Sequence, residues 1–87
     1  MADLPSVFLS DAARVAVIGM PAEQRRKLVH TLRSLQRDPE IGLPHPLGGD
    51  MSGRVVVVPG DEAVPGMTLI YRIRAEEIRV VHILAGP

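Results

Sequence analysis

Apolar and polar positions change rhythm along this chain, and the changes mark its elements. Val7–Ser10 is a short apolar run after Pro5, enough for one brief strand. Ser10 has the side chain of a helix N-cap, and Asp11 sits where the helix dipole favours a negative charge. Ala12–Ile18 then reads as a short helix, stopped by Gly19 in the left-handed position common after helices. Pro21 fits the first turn of a second helix. From Ala22 to Gln36 the leucines at 28, 32 and 35 recur at helical spacing, widened by Val29. Asp38-Pro39 ends that helix, because a residue before proline avoids the α region. So short a link between the helices predicts a helical hairpin.

Beyond it the period shortens to two. Residues 39–53 hold three prolines and four glycines and are predicted to be a loop. Gly53–Val58, Met67–Arg74 and Ile78–Leu84 are rich in β-branched residues and predict three strands. Pro59–Gly66 is a loop with two acids, and Ala75–Glu77 a tight connection. The order β-α-α-β-β-β predicts an α+β fold: a single domain over 1–87, with the helical hairpin on one face of an antiparallel sheet.

Strand parity then assigns faces. Val55, Val57, Leu69, Tyr71, Ile73, Val81 and Ile83 occupy odd positions, with Arg79 the only charge among them. This set is predicted to face the leucines of the second helix. The even set places Arg54, Thr68, Arg72, Arg74 and His82 together on the open face. An antiparallel face turned to water alternates in the same way, and the pattern alone favours that reading.

Composition narrows the function. The 87 residues are of one-domain length. Ten basic residues balance ten acidic ones, which argues against coating nucleic acid by bulk charge but allows a local patch. Without cysteine there is no disulfide scaffold, zinc finger or thiol catalysis. His30, His45 and His82 lack metal spacing, so no metal is predicted. Gly48, Gly49 and Gly53 lack the fingerprint spacing after a strand, and no nucleotide cofactor is predicted. Apolar runs such as Val55–Val58 fall far short of a membrane span, and the N-terminus does not read as a signal peptide. A cytoplasmic protein without membrane contact is expected. Phe8 and Tyr71 are the only aromatics, too few for a platform on which several bases stack.

Several stretches resemble the RelE/ParE superfamily of bacterial toxin–antitoxin toxins. Val7–Ala13 resembles the family's first strand running into its first helix, and Arg25–Pro39 its second helix with the closing Asp-Pro. Leu47-Gly48-Gly49 is similar to its Leu-x-Gly before the meander, and Gly53-Arg54-Val55 to its first meander strand. Leu69–Ile73 resembles its hydrophobic-hydrophobic-Tyr strand, and Ile78–Gly86 its last strand. The resemblance implies a cognate antitoxin partner. It also implies one of two activities: a RelE-like endoribonuclease that cleaves mRNA on the ribosome and stops translation, or a ParE-like poison of DNA gyrase that cuts no RNA. A degenerate member that only binds a partner is the third reading.

RelE-like cleavage needs a proton acceptor for a ribose 2′-hydroxyl and cations for the phosphorane. Arg54 falls on the family's basic strand position. Val56 and Thr68 stand where the family has further cations, and the sequence stops at Pro87 where active members carry more basic residues. Arg54, Arg72 and His82 are therefore the candidate catalytic residues. Arg74 and Thr68 beside them, and Arg25, Arg26 and Arg33 on the second helix, are the candidate RNA contacts; the helix stripe reads equally as a solvated face. Asp61 and Glu62 would repel phosphates if their loop folded over the open face.

Overall fold

The computed structural model describes residues 4–47 and 50–85. Gly48, Gly49, Gly86 and Pro87, used in the resemblance, lie outside the described residues. The elements are β1 (Ser6–Leu9), α1 (Asp11–Ile18), α2 (Ala22–Arg37), a 3-10 turn (Pro39–Ile41), β2 (Leu43–Leu47), β3 (Asp50–Val58), β4 (Met67–Arg74) and β5 (Glu77–Ala85). They form the expected α+β fold, with two helices against one face of a five-stranded sheet in the order β1-β5-β4-β3-β2.

Two features of the sheet's topology differ from the expectation. The sheet is mixed, because β1 pairs parallel to β5 while every other pairing is antiparallel. The helical hairpin is the crossover that carries the chain away from β1, a job no short turn can do for parallel strands. The second difference is β2, where a loop was expected. Its sequence Leu-Pro-His-Pro-Leu spaces the prolines two apart. Their nitrogens then fall on one strand edge, which a border strand can leave unpaired.

α1 begins where Ser10 accepts a bond from the Ala13 amide at 3.1 Å, the expected N-cap. Gly19 ends the helix in right-handed conformation (φ −82°), not the left-handed one expected. α2 turns Leu28, Leu35 and Gln24 inward. With Ala13 they meet Met67, Leu69 and Tyr71 of β4 and Ile78, Val80 and Ile83 of β5.

The register corrects the face assignment. Residues directly opposite on paired strands share a face, and Arg54, Val56 and Val58 lie opposite Tyr71, Leu69 and Met67. In β3 the even set therefore faces the helices, and Val57 is 58% exposed on the other side. In β5 the alternation reverses midway. Val80 pairs with Tyr71, but His82 pairs with Ile70, so Val81 is an extra residue, a β-bulge. Ile78 and Val80 point inward before it, and Ile83 after it. A chain-wide parity rule fails at both places: the β3–β4 loop sets one offset and the bulge the other.

The bulge is built into the helix start. Ser10 donates its hydroxyl to the Val81 carbonyl, and its amide donates to Val80 at 2.9 Å. One serine thus caps α1 and satisfies the backbone that the extra residue displaces.

Candidate functional site

The face away from the helices carries the candidate chemistry. Its register gives one row of His45 (β2), Gly53 (β3), Arg72 (β4), Arg79 (β5) and Phe8 (β1). A second row holds Leu43, Val55, Ile70 and His82, and a third Val57, Thr68 and Leu84. Arg74 lies beyond the first row, opposite Glu77. Cations thus gather towards one end of the face and apolar side chains towards the other, with His82 exposed at their border.

Arg72 and Arg79 are a direct cross-strand pair. Like charges so placed repel and weaken a sheet. Arg79 is steadied by Glu77, which takes bonds from its Nε and Nη2 at 3.3 and 3.0 Å, and by the Phe8 ring, whose centroid is 5.7 Å from its guanidinium carbon. Two arginines held in register on an open face suit a ligand with more than one anionic oxygen.

Arg54 is not part of this group. It was expected on the open face, but its pairing with Tyr71 turns it to the helix side. There its Nη1 donates to the carbonyls of Gly42 at 2.9 Å and Glu40 at 3.3 Å, and Nη2 lies 3.8 Å from the Glu40 carboxylate. Tyr71 completes the clamp. Its hydroxyl donates to the Pro39 carbonyl at 2.7 Å and accepts from the Gly42 amide at 3.0 Å. Burial pushes the phenol above its ordinary 10.0. A side chain at Gly42 would put its Cβ 2.6 Å from the Tyr71 hydroxyl and 2.8 Å from the Val55 carbonyl, so the glycine leaves room for the clamp.

Arg25, Arg26 and Arg33 lie on the outer surface of α2, remote from the open sheet face. They flank a shallow surface cavity of about 420 Å³ with Val29 and His30. The acidic loop is also held on the helix side. Asp61 bonds Lys27 at 2.9 Å and accepts from the amides of Ala63 and Val64, and Gln24 donates to Pro65 and Gly66. The lysine, followed by the two amides, draws the Asp61 carboxyl down to about 2. The loop is therefore tied back and does not cover the arginine row.

Parity reasoning kept Thr68, Arg72, Arg74 and His82 together, wrongly added Arg54, and missed Arg79, His45 and Phe8. The signal for Arg79 was present: a lone charge in an otherwise apolar set indicates that the register of that strand slips. His45 was hidden by the prolines around it, and Phe8 by a parallel pairing that no local pattern announces.

No family model matches the chain, and no curated protein matches it by sequence. Solved structures do. A doubly substituted form of the E. coli toxin RelE in the free state has a TM-score of 0.73, covering 94% of this chain and 83% of its own, at 14% identity. A chain of the intact E. coli RelBE toxin–antitoxin complex gives 0.74 over 95% and 98%, at 15% identity. The chain has a RelE-like fold. The isolated E. coli RelE toxin gives 0.71 over 95% and 85%, also at 15% identity. The likeness to RelE spans nearly the whole chain. Among the described residues, no helix is long and apolar enough to cross a membrane, and no three His, Asp or Glu side chains gather as a metal site.

Proposed function

We propose that residues 1–87 act as one toxin domain of a bacterial type II toxin–antitoxin system, working in the cytoplasm as a RelE-like endoribonuclease on ribosome-bound mRNA. The observation that carries the reading is the open face of a RelE-like fold, with Arg72 opposite Arg79 and His82 on the next row. In the proposed reaction, a ribose 2′-oxygen bonds to the adjacent phosphorus as the bond to the 5′-oxygen breaks. His82 accepts the 2′ proton, since imidazole is the side chain suited to proton transfer near neutral pH. Arg72 bears the charge that builds on the phosphorane oxygens, with Arg79 beside it on the same row adding to the positive field, and solvent protonates the departing 5′-oxygen. Arg74 and Thr68 extend the RNA contact along the face, and Arg25, Arg26 and Arg33 offer a second basic surface for phosphates of the ribosome. The antitoxin partner finds apolar footholds in the exposed Val15 and Ile18 of α1.

One observation favours the gyrase reading. Arg54, the residue that best fits the family's basic strand position, is committed to Gly42 and Glu40 on the helix side. Primer extension on mRNA after induced expression separates the two. Discrete, translation-dependent cuts that vanish in His82→Ala support the ribonuclease. A DNA-damage response without cuts supports the gyrase poison, and undiminished cutting by His82→Ala removes the histidine from the mechanism.

A further inference from the structure

The chain has only two aromatic side chains, and the structure treats them oppositely. Tyr71 is fully buried, while Phe8 is 48% exposed on the shortest strand, β1, facing the open side. Its ring carries the Arg79 guanidinium, which Glu77 fixes through two donors to one carboxylate oxygen. Beside the pair lies a cavity of about 210 Å³ bordered by Phe8, Ser10, Arg72, Arg79 and the Val81 bulge. That is below the roughly 300–1,000 Å³ of cavities that enclose drug-sized ligands, and it leaves room for one ring system.

A lone anion would need the arginines but not the ring, and an apolar peptide would need the ring but not two cations. A nucleotide in a single strand uses both. Its base stacks on an aromatic ring or a guanidinium plane, and its flanking phosphates lie against cations. We propose that Phe8 and Arg79 form a stacking site for one base of single-stranded RNA, with Arg72 holding an adjoining phosphate. His82 is one pleat repeat along the sheet, about 7 Å at ~3.4 Å per residue. A base seated on Phe8 and Arg79 thus brings a neighbouring stretch of its own backbone to the histidine. The inference rests on the reading of the open face as an RNA surface and adds which residues position the strand. Because stacking serves every base, the site anchors the strand without reading its sequence.

The test uses a short single-stranded RNA with 2-aminopurine at one position and a matched strand abasic there. The wild-type chain is expected to quench the 2-aminopurine and to bind that strand about tenfold more tightly than the abasic one. Phe8→Leu keeps an apolar side chain at this half-exposed edge and is expected to retain the melting temperature while losing the preference. Phe8→Tyr is expected to keep both. Arg79→Gln is expected to lose the preference and to lower the slope of log affinity against log salt by about one. Equal binding of the two strands by the wild type, a preference that survives in Phe8→Leu, or no binding of either RNA overturns the stacking site. Primer extension judges the ribonuclease separately. Cutting without base preference leaves that reading and removes this one, and base preference without cutting does the reverse.

Discussion

Arg54 and Arg72 sit on adjacent strands one ladder step apart, yet they face opposite sides of the sheet. Arg54 is enclosed by carbonyls and a carboxylate, and its charge serves to hold the Pro39–Gly42 corner. Arg72 stands opposite another arginine on a face that no helix covers. On the inner side the hydroxyl of Tyr71 has both its partners within the fold, so its worth is structural. On the outer side two arginines are set directly opposite each other on the sheet, which concentrates positive charge on the open face. Two residues of the same type thus carry different information: one is part of how the chain folds, the other of what the fold presents.

Substitutions on the two sides should separate these roles. The largest effect is expected from His82→Ala, with a loss of about 10²–10⁴-fold in mRNA cleavage as for removal of a general base, and an unchanged melting curve. A parallel fall in melting temperature would place His82 with the structural group. Next, Tyr71→Phe removes the hydroxyl, leaves the Pro39 carbonyl and the Gly42 amide without it and should cost about 1–3 kcal/mol, seen as a melting point lower by roughly 4–8 °C per kcal/mol for a domain of this size. Ser10→Ala removes a cap and the support of the bulge together and should cost about 1–2 kcal/mol. Ala75 adopts a left-handed φ of 50° in the β4–β5 turn. Ala75→Gly relieves a strain of about 1 kcal/mol and should raise the melting temperature without touching the open face.

The inner side also predicts a pH dependence. The Tyr71 phenol titrates above its ordinary 10.0 in the folded chain because burial disfavours the phenolate. Its contribution to stability is fully present below pH 10 and declines as pH rises towards the folded value, since the unfolded chain ionises first. Denaturant unfolding at pH 9 and above 10 measures this, and Tyr71→Phe should flatten it. The acid side behaves inversely at Asp61. Its contribution is present above pH 3.8 and is lost as pH falls to about 2.

The helices were legible because their signals are local: Ser10 as cap, leucines at 28, 32 and 35, and Asp38-Pro39 as stop. β4 was legible because it is buried on one face and alternates without a break. Val7–Ser10 and Ile78–Leu84 were legible as strands too; what escaped was β2 as a strand, the pairing of β1 and the phase of β5, and each depends on distant partners. Leu43–Leu47 is extended because β3 lies beside it, and nothing within the segment outweighs its two prolines. β1 is set by parallel pairing across about seventy residues of chain. In β5 the consecutive valines at 80 and 81 disguise the bulge, since either one satisfies an apolar position. The candidate site inherited each of these errors, because a face is only as well known as the register that defines it.

The bulge at Val81 has a consequence for how this surface can change. It divides β5 into two stretches with independent phase, 77–80 and 82–85, joined at a point that Ser10 secures. Substitutions in one stretch need not respect the alternation of the other. The outward residues near Arg79 and those near His82 can therefore diverge separately while the inward residues Ile78, Val80 and Ile83 stay fixed. Without the extra residue, a strand in phase with Ile78 and Val80 would turn His82 inward and Ile83 outward, so the bulge is what keeps the histidine on the open face.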